Sequence, residues 1–459
     1  MPQTFKDALA VARELGIPFL WIDALCIVQI PEGNSDWQRE SVRMGQIYEN
    51  AICTIAATSA VHAHEGFIAR TGRSVFAAEP CLIEGFVTNE IIETNQQPHC
   101  VEIETSRPDF FNCVSNSPLN QRGWVMQERA LSKRILHFTE HGLFWECSTL
   151  KANDWCGEYE IQDLGACRMK ESMMSVSRAK RTQHLCPVEW FHFIKQYSRA
   201  DFSRFQDRLI ALSSVARAVQ PVVKSKYLAG LWSNDLIRGL EWYVYRPDTV
   251  PRGGKAPTWS WASVTGAIDF SALGLNTLHD KLVDVLDVEL LPMQGMDVYG
   301  DLQQGNLTIK GTLTTARLPK VNRHEIDDQV YWDEPHMDGN VVVAEQHDLS
   351  EVAFGSYTVL PTGMGFRSFS VNQKLEVGAL ILEPVGDIKT NDFGVTESVS
   401  GKYRRKGWML TDEELLWSHI SKKEGRVLQT NMRIYRGMSK IKSMGISWKE
   451  LNPVEVCII

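Results

Sequence analysis

The sequence predicts an α/β protein in three parts: a partly parallel sheet flanked by helices, a helical segment, and a C-terminal antiparallel β-rich region. Three observations carry this reading. Residues 1–60 alternate helix, strand, helix, strand with short turns, which is how a parallel layer is built. Residues 188–245 carry aromatic-rich runs of helical period, "VEWFHFIKQYS", "DRLIALSSVARAVQ" and "YLAGLWSNDLIRGLEWYV". From 280 to 400 short alternating runs such as "LVDVLDVELL" and "NLTIKGTL" are separated by Gly, Asn and Asp, the signature of antiparallel strands. The expected domains are 1–150, 151–275 and 276–459.

Taken in order, Phe5, Ala8, Leu9, Ala12 and Leu15 share one helical face, with Thr4 as N-cap and Gly16 as stop. "FLWIDALCIVQ" then gives an apolar run from Phe19 to Val28. It is continuous rather than alternating, as in a strand buried on both faces of a parallel sheet. "PEGNSD" reads as a loop, with Ser35 or Asp36 capping a second helix whose inner face is Trp37, Met44, Ile47, Tyr48 and Ala51. Cys53 to Ala60 is a second buried strand. After an irregular stretch over 75–117, a helix starts near Gly123 with Trp124, Gln127 and Leu131 on one face. Strands follow at Ile135–Phe138 and Leu143–Cys147. Residues 151–185 read as a polar connection, 325–340 as an acidic loop, and "TDEELLWSHI" as a last helix. There is no internal repeat.

The chain of 459 residues is 44% hydrophobic and 23% charged, ordinary for a globular protein with a core of normal depth. A net charge of -8 argues against a nucleic-acid binder, because a phosphate backbone demands a basic face. No segment reaches the ~18 apolar residues of a membrane span. The start, "MPQTFKDALAVARELG", lacks the apolar core of a signal peptide. Ten scattered cysteines without a CxxC pair therefore read as reduced thiols, and the expected location is cytoplasmic.

Three blocks carry a family resemblance: "TFKDALAVARELGIPFLWIDALCIVQ", then "DWQRESVRMGQIYENAICTIAATSA" with the "GFIAR" turn, then "LNQRGWVMQERALSKRILHFTEHGLFWEC". In order and wording they resemble a fungal heterokaryon-incompatibility (HET) domain over residues 3–148. "YLAGLWSNDLIRGLEWYV" and "APTWSWASVTG" resemble the segment that follows that domain in many filamentous-fungal proteins. The resemblance implies a fold similar to TIR domains and a role in non-self recognition, where the domain triggers programmed cell death with other proteins of an incompatibility or stress pathway. Some TIR relatives hydrolyse NAD, so the resemblance also implies an alternative: a small-molecule enzyme of NAD glycohydrolase type, or one recruited to biosynthesis. Two departures stand out. Family members usually open with a strand well upstream of the "LWIDALCI" run, and this chain begins just before its first helix. They also tend to carry Asp after the Gln of "CIVQ", where Ile30 and Pro31 stand here. Both remove part of the crevice expected at the strand ends.

The candidate residues follow from these blocks. A carboxylate at Asp23 inside a buried strand must find a partner or border a cleft. It is either a polar anchor at the crevice or an architectural group, held in an ion pair, with Arg122 as the expected partner, or in a capping bond to a neighbouring helix terminus. Cys26 is a nucleophile only if a histidine or a helix N-terminus activates it; otherwise it is a buried, inert thiol. Gln29 ends the same run. Arg122, Trp124, Gln127 and Glu128 form the densest polar-aromatic cluster, with Trp124 expected to pack inward and Gln127 and Glu128 expected on exposed turns. Glu128 is a candidate general base or ribose-hydroxyl ligand, or else a surface partner of Arg122 or Arg129. Glu40 is the second candidate carboxylate, or an exposed helix charge. His137, His141 and Cys147 do not have the spacing of a zinc site. The acidic run Asp327, Asp328, Asp333 and Glu334 reads as a solvated loop, so neither a metal nor a cofactor is expected. Trp259 and Trp261 are expected on one face of a core strand.

Overall fold

The computed structural model describes residues 1–28, 35–71, 81–84, 100–103, 109–147, 150–154, 157–159, 187–246, 256–270, 280–311, 313–319, 323–324, 328–332, 354–366, 375–390, 396–412 and 454–459. The chain divides into two compact units, 1–174 and 175–459.

The first unit is a mixed α/β layer. Helix α1 (Gln3–Glu14) buries Asp7, Ala8, Val11 and Ala12, and Gly16 beyond it takes a left-handed φ of 66°, the usual helix stop. Its cap differs from expectation. Pro2 occupies the N-cap position and Thr4 lies inside the helix, with the Thr4 backbone N–H bonded to the Ala63 carbonyl at 3.0 Å. A single helical turn, α2 (Asp23–Cys26), precedes α3 (Ser35–Asn50) and strand β1 (Thr54–Ala56). A hairpin of β2 (Cys81–Glu84) and β3 (Cys100–Ile103) lies in the irregular stretch. Helix α4 (Gly123–Leu131) then leads into β4 (Arg134–Thr139), β5 (Gly142–Cys147), β6 (Lys151–Asn153) and β7 (Gly157–Tyr159). The sheet order is β1-β4-β5-β6-β7, parallel at β1–β4 and antiparallel beyond.

The run Phe19–Val28 is therefore not a buried strand. Among the described residues β1 pairs only with β4, and residues 19–22 join no ladder. Local bonds take over instead. The N–H groups of Leu25 and Cys26 both reach the Ile22 carbonyl at 2.9 Å, and Asp23 accepts the Ala24 N–H at 2.7 Å. A carboxylate in a first helical turn satisfies N–H groups that a strand would offer to a neighbour. Phe19, Leu25 and Val28 end up 87%, 59% and 49% exposed, while Leu20 packs against Ala8, Val11, Phe67 and Phe138.

In the second unit, α5 (Pro187–Tyr197) and α6 (Asp207–Val223) match the helical expectation, but "YLAGLW" does not. It forms a tight hairpin of β8 (Tyr227–Leu228) and β9 (Leu231–Trp232), followed by a short helix α7 (Leu236–Gly239) and β10 (Trp242–Arg246). Ala229 and Gly230 take φ of 47° and 96°, which a right-handed helix cannot accommodate. The Gly230 carbonyl accepts the Trp190 and Trp261 indole N–H groups at 2.9 and 3.1 Å. Trp259 and Trp261 are fully buried, yet they sit on a turn ending in a 3-10 segment (Trp261–Ser263) and not on a strand. Strand β11 (Ala267–Phe270) pairs with β10.

The remaining strands are β12 (Asp280–Lys281), β13 (Asp284–Pro292), β14 (Leu302–Gly311), β15 (Thr314–Pro319), β16 (Arg323–His324), β17 (Asp328–Trp332), β18 (Phe354–Phe366), β19 (Leu375–Pro384), β20 (Ile388–Thr390), β21 (Thr396–Ser398), β22 (Lys402–Asp412) and β23 (Val454–Ile458). All but β20 and β21 belong to one ten-stranded sheet with central order β12-β18-β19-β22-β23-β14-β13. Every ladder in it is antiparallel except β22–β23. The acidic stretch over 325–340 is not wholly a loop, because β17 crosses it and pairs with β22. Asp327, Asp333 and Glu334 lie outside the described residues. So does most of the expected final helix, whose first residues, Thr411 and Asp412, belong to β22. The connection 151–185 contains β6 and β7, and 160–185 is also outside the described residues.

Candidate functional site

Helices α3 and α4 pack on each other, and the groups between and beside them are polar and aromatic. Trp37 at the start of α3 meets Trp124 of α4 edge to face, with centroids 6.1 Å apart. At the far end of α3, Tyr48 stacks edge-on against Trp21 at 5.7 Å. Its phenol interacts with the Glu128 carboxyl, and Asp23 and Arg122 lie within electrostatic reach of both groups. Four side chains from three separate stretches thus form one cluster.

Its electrostatics follow from burial. Glu128 is partly buried, and loss of solvent pushes its carboxyl up to about 7. The Tyr48 hydroxyl opposes this rise, Asp23 adds to it, and Arg122 opposes it again. Burial, then the neighbouring Glu128, drives Tyr48 well above the usual phenol range, so it stays a neutral donor. A carboxyl that titrates near neutrality can both give and take a proton near neutral pH. Exposed Arg122 offers a cation for an anionic group, and exposed Asp23 an acceptor for a hydroxyl.

The placement of the individual candidates is uneven. Asp23 and Cys26 are exposed on the helical turn α2 rather than buried in a strand. Asp23 makes no direct ion pair with Arg122, and its carboxylate caps Ala24 instead. Gln127, expected to be exposed, is completely buried. Glu128 pairs with neither neighbouring arginine; its partner is Tyr48, which the sequence marked only as an inner-face residue. Its signal was legible, since a phenol on the buried face of a helix needs a polar partner. Glu40 stands apart from the cluster, with Oε1 held by Arg39 at 3.1 Å and Arg43 at 3.3 Å. Gln29 lies outside the described residues.

A second polar network, unforeseen from the sequence, is closed to solvent in the sheet. Glu146 of β5 receives Arg129 Nε at 2.9 Å and Nη2 at 3.2 Å, a forked pair. His137 Nε2 lies 3.2 Å from the same carboxylate, and His137 Nδ1 lies 3.3 Å from the Thr58 hydroxyl. Lys151 Nζ sits 4.1 Å over the Phe110 ring. Thr58, Arg129, His137, Glu146 and Lys151 are all buried, so this network joins α4, β4 and β5 and has no face for a substrate. His137 is engaged by Glu146 and Thr58, and no group of three His, Cys, Asp or Glu gathers as a metal site among the described residues.

Residues 1–128 match the family model described as heterokaryon incompatibility protein (HET). The N-terminal unit carries a HET domain. The match contains every member of the Asp23–Tyr48–Arg122–Glu128 cluster and stops before Arg129, so Arg129, His137, Glu146 and Lys151 of the buried network lie beyond it. No curated protein and no solved structure matches the chain. No helix among the described residues is long and apolar enough to cross a membrane.

Proposed function

We propose that this HET-domain chain acts in heterokaryon incompatibility, as a cytoplasmic component of non-self recognition that triggers programmed cell death through other proteins of that pathway. The Glu128 cluster is its working site. The observation that supports this is the family match over residues 1–128, which takes in all four clustered side chains. Inducible expression in a filamentous fungus tests it. The wild-type chain lowers viability and Glu128→Gln restores it. Unchanged viability with wild-type chain at confirmed expression contradicts the proposal.

A second reading is favoured by one specific feature: a carboxyl near neutrality beside a neutral phenol, a carboxylate and a guanidinium. Under this reading the HET domain shares the TIR-like architecture and hydrolyses a nucleotide such as NAD, with Glu128 moving the proton and Arg122 holding a phosphate. Nicotinamide release from NAD by purified protein distinguishes it. Turnover equal in wild type and in the Glu128→Ala, Glu40→Ala double variant rules the hydrolase out.

A further inference from the structure

Gln127 is the anomaly of the HET domain. It is 0% exposed, and neither Nε2 nor Oε1 of its amide has a hydrogen-bond partner. Thr4 and Ser59 each leave one buried hydroxyl unpaired, but only Gln127 among the described residues leaves both polar atoms of its side chain so. The buried Asn120 amide donates to Val114 O at 2.8 Å and to Ser117 Oγ at 3.1 Å. Arg129, His137 and Glu146 are all engaged. A buried primary amide without partners destabilises a fold by about 1–3 kcal/mol. Leucine or methionine has equal helix propensity and would fill the same volume without that loss. Packing and propensity therefore give no reason for an amide here.

Position gives one. Gln127 follows Trp124 by three residues and adjoins Glu128, and residues three and four apart share a helix face. Trp124 faces Trp37 of α3, and Glu128 interacts with Tyr48 of the same helix. Trp124, three residues before Gln127 and four before Glu128, is thus the common helical neighbour of the amide and of the polar cluster. We propose that Gln127 is the specificity-determining residue of that site, and that its ligand presents a flat edge with a hydrogen-bond donor beside an acceptor, as a carboxamide or lactam does. This rests on the cluster being a ligand site. The chemistry follows from the amide, which offers N–H donors and a carbonyl acceptor side by side. A carboxylate only accepts and an ammonium only donates, so each leaves half of Gln127 unpaired.

Full-length protein titrated with benzamide, and with benzoate as control, tests this through melting temperature and tryptophan fluorescence. Benzamide raises the melting temperature of wild type and benzoate does not. Gln127→Leu melts at or above ligand-free wild type and binds benzamide roughly tenfold more weakly or worse. Three results overturn the assignment: no benzamide response in wild type, an undiminished response in Gln127→Leu, or a Gln127→Leu chain that melts well below wild type. Glu128→Gln in the viability assay separates this from the parent reading. If it restores viability while Gln127→Leu keeps benzamide binding, the Glu128 site stands and the role of Gln127 falls.

Discussion

Two segments of this molecule have similar apolar character and opposite fates. Phe19–Val28 leaves Phe19 87% exposed and Leu25 59% exposed, whereas Thr258–Ser263 buries Trp259 and Trp261 completely. The difference lies in what each segment's polar atoms find. Trp259 Nε1 reaches Gly305 O at 3.3 Å, Trp261 Nε1 reaches Gly230 O, and Ser260 Oγ reaches Ala229 O at 2.6 Å. The earlier run meets no strand beyond β1 among the described residues, and its backbone closes on itself in a helical turn. Apolarity supplies a driving force, but burial needs a neighbour that also accepts the donors.

The comparison can be broken by mutation. Trp261→Ala removes a fully buried indole and one of two donors to Gly230, and is expected to lower stability by about 3–5 kcal/mol in denaturant unfolding. In the first unit, Glu146→Ala leaves buried Arg129 without its carboxylate and is expected to lower stability by about 3–5 kcal/mol. Gly230→Ala places a Cβ against the Trp261 ring at a left-handed φ, and a loss of about 1–3 kcal/mol is expected. At the other extreme, Phe19→Ser with Leu25→Ser is expected to change stability by about 0.5 kcal/mol or less, as exposed positions do. A large loss there would mean that the run is buried after all. A thiol reagent sharpens the same contrast: exposed Cys26 reacts in the folded chain, while buried Cys113, pushed up to about 12 by burial, reacts only after unfolding.

The helices α1, α3 and α4 and the β4–β5 pair were legible in the sequence because each is one periodic segment with its own stop or turn. Gly16 and the start of α4 at Gly123 are examples. Contacts that join distant segments were not legible. Asp7 accepts the Phe67 and Ile68 N–H groups at 2.7 and 3.1 Å, and these, with Gln3, outweigh its burial and hold its carboxyl below the ordinary range. Nothing in α1 announces that partner. The same holds for Thr58, His137 and Glu146, which meet only once the sheet forms. Of the candidate site, the pairing of Asp23 and Arg122 with Glu128 in one region was anticipated. The burial of Gln127 and the helical turn at Asp23 were not, and the meeting of Tyr48 with Glu128 is settled only once α3 and α4 pack.

The central claim is that Glu128, Tyr48, Asp23 and Arg122 act as one electrostatic unit. Its pH signature has a definite sign. Raised above its ordinary value of 4.5, the Glu128 carboxyl holds its proton more tightly in the folded chain. Its contribution to stability therefore falls as pH rises from about 4.5 through about 7, and Glu128→Gln removes that fall. The most direct measurement is an NMR titration of carboxyl-labelled glutamate in the full chain, with Glu128→Gln identifying the resonance. A midpoint near 7 that drops in Asp23→Asn and climbs in Arg122→Gln is expected. A midpoint in the ordinary carboxylate range, indifferent to both substitutions, would contradict it.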